Sequence, residues 1–173
     1  MCEYCGCQAI GSIEELTREH DAALEDIRSG REAAATGDGR AAEAVARRLL
    51  ELLGPHTAVE EQALFPAMAR EHPEHVATLT AEHRDVHAVL IDIASGGPAA
   101  QDWQPRLLVA LHVLREHIAK EQDGLFPAAL TSLGRDDWEA VEQIRARVGS
   151  TLRPAAVPAR EDRPALLTAD RPA

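Results

Sequence analysis

Aromatic side chains are scarce in this chain: two Trp, one Tyr and two Phe make up 3% of 173 residues. The core must therefore be aliphatic, and the length suits one domain large enough to bury it. Basic charge is also short, with 18 Lys+Arg against 29 Asp+Glu and a formal net charge of −11. That balance argues against a nucleic-acid surface, which needs basic patches to meet phosphates, and against adsorption to anionic lipid. No run approaches the roughly 18 apolar residues of a membrane span, so no transmembrane helix is expected. The opening residues Met1-Cys2-Glu3-Tyr4-Cys5-Gly6-Cys7 have no basic flank followed by an apolar stretch, so no secretory signal is expected. The cytoplasm is the expected compartment, where disulfides are rare. All three cysteines fall in the first seven residues and cannot frame the fold.

The rest of the chain reads as helix. Ser12 and Glu15 fit a capping box, and Ile13, Leu16, His20, Leu24 and Ile27 keep helical spacing on one face. Ser29-Gly30 and Gly37-Asp38-Gly39 mark the expected break. A second helical region runs from about Arg40 to Arg70, with Leu49, Leu53, His56, Glu60, Ala63 and Ala67 in phase. Pro55 inside it kinks the helix or starts a new one. A third runs from about Glu74 to Ala94 along Val76, Leu79, His83, His87, Leu90 and Ala94. A fourth spans about Asp102 to Leu130 through Leu107, Leu114, His117, Glu121 and Leu125. A short fifth, Arg135 to Val148, has Asp136 as its candidate cap. The expected architecture is all-α: an antiparallel up-and-down four-helix bundle over 12–148 with a short extra C-terminal helix. A Cys-rich leader, 1–11, precedes it, and a Pro-rich irregular tail, 149–173, follows.

The sequence repeats itself. His56-x3-Glu60-x3-Leu64-Phe65-Pro66 matches His117-x3-Glu121-x3-Leu125-Phe126-Pro127 at an offset of 61 residues. Leu16-Thr17-x-Glu19-His20 matches Leu79-Thr80-x-Glu82-His83 at an offset of 63. Residues four apart project from one helical face, and these pairs lie in register with the apolar stripes. Packing the stripes together would bury His20, His56, Glu60, His83, His87, His117 and Glu121 at one level. A single His on an apolar stripe is usually a hydrogen-bonded core residue, but repeated pairs on separate helices are hard to explain that way. Burying them without partners would cost several kcal/mol apiece. Imidazole nitrogen and carboxylate oxygen suit iron, manganese or zinc, and bridging glutamates suit two ions held close together. Five imidazoles, two bridging carboxylates and one solvent-derived oxygen bridge leave two octahedral metals one donor short, so one position stays open.

These residues resemble the hemerythrin family, in particular its bacterial members with a His-His-Glu cation-binding pattern, over roughly residues 12–130. The resemblance implies a four-helix bundle holding a non-haem di-iron centre, two iron ions with a solvent-derived oxygen bridge. His83, His87 and His117 would hold one iron, His20 and His56 the other, and Glu60 and Glu121 would bridge. The open position then belongs to the His20/His56 iron. The classical oxygen carriers have His-x4-Asp on the last helix where this chain has His117-x3-Glu121, which weakens an assignment to simple reversible oxygen storage.

Glu61, Gln62, Gln122 and Asp123 flank the ligands, and Glu19 and Glu82 precede two of the histidines. Each is read either as a solvated helix-face residue or as an acceptor for the free N–H of a ligating His. Glu61 and Asp123 are the candidate proton carriers. Phe65, Phe126, Pro66 and Pro127 are read as core packing and helix adjustment, with walling of the pocket as the functional alternative. His72, His75 and His112 fall off the stripes and are expected at the surface. Cys2, Cys5 and Cys7 form a candidate redox or second metal site, or a contact to a partner protein or second copy; the bland alternative is a leader with exposed thiols. The functional expectation is binding of O2, NO or peroxide for sensing, storage or detoxification. The alternatives are a di-iron enzyme that disproportionates peroxide or reduces nitric oxide, and an iron- or redox-responsive regulator.

Overall fold

The computed structural model describes residues 5–99 and 101–152, with side chains from residue 9 onward. Helix α1 spans Cys5–Thr36 and α2 spans Gly39–Val59. A π-helical turn, Glu60–Leu64, joins α2 to α3, Phe65–Met68. Helix α4 is Pro73–Ala94 and α5 is Trp103–Lys120. A second π-helical turn, Glu121–Leu125, leads into α6, Phe126–Ser132, and α7 is Arg135–Val148. The described residues are all-helical.

Several boundaries differ from the sequence expectation. Helix α1 starts at Cys5, ahead of Ser12, so Ser12 and Glu15 are interior residues and no capping box forms there. It also runs through Ser29-Gly30. Gly30 is there for close packing: a Cβ on it would lie 2.7 Å from Leu111 Cδ1 and 3.2 Å from Val45 Cγ1. The chain reverses at Gly37, whose φ of +72° suits glycine. Asp38 then caps α2, its side chain accepting from Ala41 N–H at 3.0 Å. Helix α2 continues through Pro55 without ending. The cap of α7 is Gly134, whose N–H donates to Asp137 Oδ2 at 3.0 Å, so Asp137 takes the part expected of Asp136.

Four long helices pack in a closed ring: α1 on α2, α2 on α4, α4 on α5, and α5 back on α1. Their apolar stripes form two separate clusters. One gathers Ala23, Ile27, Leu49, Leu53, Val86, Leu90, Leu107, Leu111 and Leu114, among others. The other gathers Leu16, Val59, Leu64, Phe65, Leu79, Leu125, Phe126, Trp138 and Val141, among others. Successive long helices meet these clusters in opposite order along the chain. Between the clusters lies a buried polar layer formed by Glu19, His20, His56, Glu60, His83, His117 and Glu121. Helix α7 lies outside the ring against α1, α2 and the first π-helical turn, anchored by Trp138 at 1% and Val141 at 0% exposure. Among the described residues, no helix is long and apolar enough to cross a membrane.

Candidate metal centre

The polar layer depends on how two helices are broken. In an α-helix the Phe65 N–H would bond the carbonyl four residues back; here it bonds Glu60 O, five back. Phe126 N–H likewise bonds Glu121 O. Each turn thus gains one residue, which lets Glu60 and Glu121 face inward while Phe65 and Phe126 remain buried beyond them. Pro66 and Pro127 follow immediately; with no N–H to donate, they cost no bond where the ladder is already interrupted.

Six side chains converge. His20 Nε2 lies 3.1 Å from Glu121 Oε2 and 3.1 Å from His56 Nε2. His56 Nε2 is 3.3 Å and His83 Nε2 3.5 Å from Glu60 Oε2. His117 Nε2 is 3.2 Å from Glu121 Oε1. The donors fall into two groups, His20–His56–Glu60–Glu121 and His83–His117–Glu60–Glu121, each with ligand atoms within 4.8 Å of one another. Both glutamates belong to both groups.

The outer nitrogens are held by carboxylates. Glu19 Oε2 is 2.9 Å from His56 Nδ1, Glu82 Oε2 is 3.0 Å from His117 Nδ1, and Glu61 Oε1 is 2.9 Å from His83 Nδ1. An ionised carboxylate accepts only, so each of these Nδ1 atoms carries a proton and Nε2 is left as the nitrogen that can bind a cation once deprotonated. Lys120 in turn contacts Glu82. The Phe126 ring stacks on His20 with centroids 5.4 Å apart, and Phe65 stacks on His83 at 5.5 Å.

The interior is polar without being satisfied. Among the described residues, both oxygens of Glu60, both of Glu121, and His117 Nε2 are buried with no hydrogen-bond partner, as is His20 Nδ1. Left so, each would cost about 1–3 kcal/mol or more. Four carboxylate oxygens facing imidazole nitrogens match the hard-to-borderline donor set of a transition-metal cation. The donors fit a metal.

Residues 11–129 match the family model of the hemerythrin HHE cation binding domain. The chain belongs to the hemerythrin family. No curated protein and no solved structure matches it. As a member of a cation-binding family, this chain carries a His/Glu cluster that can hold a metal.

In this hemerythrin-family chain, one expected ligand stands apart. His87 is exposed and belongs to neither donor group. The inward face of α4 runs Leu79, His83, Val86, Leu90, Ile93, which leaves His87 on its flank. There it lines an open cleft of about 570 Å³ with Thr57, Glu61, Thr80, His83 and Arg84. A smaller void of about 10 Å³ shares Thr57, His83 and His87 with the cleft and reaches His117. This cleft therefore opens on the His83 side of the centre.

Of the flanking residues, Glu61 contacts His83 and Asp123 is exposed, outside both groups. Gln62 contacts Arg147. Phe65 and Phe126 do wall the centre. His72, His75 and His112 are exposed, as expected. Cys2 lies outside the described residues, as do the side chains of Cys5 and Cys7 and the tail beyond residue 152. Sequence reading missed Arg145 and Ser150, which bond Glu19; nothing in their spacing marks them.

The cluster's charges are strongly linked. Burial alone would lower the His56 pKa, but Glu60 beside it and the bond to Glu19 push it up to about 10. Burial opposes the His117 imidazolium too, yet Glu121 and Glu60 raise its pKa. Burial would raise the Glu121 carboxyl, but the His117 and His20 imidazoles, 3.2 and 3.1 Å away, hold it well below the ordinary range. The buried glutamates thus favour the protonated forms of His56 and His117.

Proposed function

We propose that the chain is a non-haem di-iron protein that binds a small diatomic or peroxide ligand (O2, NO or H2O2) for sensing, storage or detoxification. The observation that carries this reading is the pair of donor groups sharing Glu60 and Glu121. One cation in either group would leave the other group's imidazoles facing an incompletely neutralised pair of carboxylates; two cations satisfy both. His20 and His56 would hold one ion, His83 and His117 the other, and the two glutamates would serve both. The scaffold is read as an up-and-down antiparallel four-helix bundle. The opposite order in which successive helices meet the two aliphatic clusters supports this.

Iron, when bound, supplies exchangeable electrons and a coordination position for a small ligand. The chain supplies the rest. Glu19, Glu61 and Glu82 hold protons at Nδ1 of His56, His83 and His117, which orients the rings and fixes the tautomer. Phe65, Phe126 and the aliphatic clusters keep bulk water from the polar layer. A small void beside His83 and His117 adjoins the open cleft at Thr57 and His87, which supports a route for a small ligand to that half of the centre.

Anaerobic optical titration of the reduced protein with O2, NO and peroxide tests the reading. A saturable, stoichiometric spectral change with one of them is expected. Sustained turnover of peroxide or NO would replace binding with catalysis, and no change with any of the three would overturn the proposal.

A further inference from the structure

We infer that Arg145, on a helix beyond the family-matched residues, is a positioning residue for one half of the metal centre. Through Glu19 it fixes the His56 imidazole and so sets how tightly the His20/His56 pair holds its cation. The inference rests on the di-iron reading and adds a device that the repeated halves do not share.

The chain of contacts is continuous and buried. Arg145 Nη1 donates to Glu19 Oε1 at 3.0 Å and Nη2 to Glu19 Oε2 at 2.8 Å. Ser150 Oγ donates to Glu19 Oε1 at 2.6 Å. Glu19 is 1% exposed and accepts from His56 Nδ1 at 2.9 Å. Arg145 itself is 14% exposed and lies 3.5 Å from Glu15 Oε2 through Nε. It also donates to Gly149 O at 2.9 Å, at the end of α7. A guanidinium gripping both oxygens fixes the plane of the carboxylate as well as its position. That plane decides where the His56 Nδ1–H points, and hence where Nε2 points.

The opposite half is built differently. Glu82, the counterpart of Glu19 in the repeat, meets Lys120 from α5, a residue inside the matched domain. An ammonium is a point charge and imposes no plane. That half also has a second anchored imidazole, since His83 Nδ1 is held by Glu61. In the His20/His56 half, His20 Nδ1 has no partner among the described residues, so among them His56 is the only imidazole there with a carboxylate behind it. Helix α7 has no counterpart in the repeat, and Trp138 and Val141 wedge it into the cluster that holds Leu16 and Phe65, so that Arg145 reaches Glu19. The two cations are thus controlled separately: one from within the bundle, the other from the appended helix.

The test is equilibrium dialysis of the full chain against Fe(II) without oxygen, with Co(II) titration followed optically as a second readout. Wild type should hold two cations. In R145Q one should bind as before and the other about 10- to 100-fold more weakly, and the weakened one should be the cation that H20A also weakens. R145K should recover part of the loss. E19Q keeps the Trp138 and Val141 contacts of α7 and the Arg145 side chain itself, and should reproduce the same one-site effect, so it carries the test if R145Q fails to fold. K120Q should weaken the other cation instead. Unchanged affinities and cobalt spectra in R145Q, equal weakening of both cations, or an E19Q without effect would each overturn the inference. A wild-type chain holding fewer than two cations would overturn the di-iron reading itself.

Discussion

The Phe126 ring stacks on the His20 imidazole, 3° from parallel with centroids 5.4 Å apart. Phe65 repeats the arrangement on His83, 13° from parallel. With Phe126 only 2% exposed, F126A should cost about 3–5 kcal/mol in stability and open the His20 side of the polar layer to water. Chemical denaturation measures the first effect. Faster oxidation of the reduced iron protein in air measures the second. A variant as stable and as slowly oxidised as wild type would remove the ring from both roles.

Shared and unshared ligands should separate in a mutational series. Glu60 stands in both donor groups, whereas His83 stands in one. E60A should weaken both cations, and H83A should weaken one by more than the roughly 10- to 100-fold typical of a lost supporting partner. H87A should leave both affinities within about threefold, because His87 stands at the cleft and not in the layer; a loss as large as that of H83A would place it among the ligands. Dialysis against Fe(II) reads all three.

Cation uptake should release protons. His56, with its pKa raised to about 10 in the metal-free chain, must give up its proton to bind through Nε2, and His117 is shifted in the same direction. Affinity should therefore rise with pH through neutrality and above. Calorimetry in two buffers of different ionisation enthalpy counts the protons; a buffer-independent heat at pH 7 would contradict the expectation.

The same shifts set the stability of the metal-free chain. A histidine raised from 6.5 to about 10 contributes stability that is complete below 6.5 and lost as pH climbs toward 10. Glu19 and Glu121, lowered from 4.5, contribute stability present above 4.5 and lost as pH falls below it. Metal-free protein should be most stable between those limits. The bound cation should remove the alkaline loss, since ligating imidazoles are already deprotonated. Thermal unfolding across pH, with and without Fe(II), follows both.

The helical fold and the buried His/Glu layer were legible because the sequence states them twice. The offsets of 61 and 63 residues put His20 with His83 and Glu60 with Glu121 before any geometry was known. The same offset pairs Glu19 with Glu82, whose places behind His56 and His117 the structure supplies. Periodicity failed where a residue lay one step off the stripe. His87 keeps the i+4 spacing from His83, but Val86 and Leu90 hold the inward face. Gly30 read as a helix break because its actual role, making room for Leu111 and Val45, is a tertiary contact. Arg145 was invisible for a similar reason: it meets Glu19 across 126 residues, through a helix the repeat does not contain.

The most direct measurement is the iron content of anaerobically reconstituted protein, taken together with that of E60A. Two irons per chain in the wild type, and loss of the paired centre in the variant, are expected from two donor groups that share Glu60 and Glu121. One iron or none in the wild type, or two irons bound normally by E60A, would contradict it.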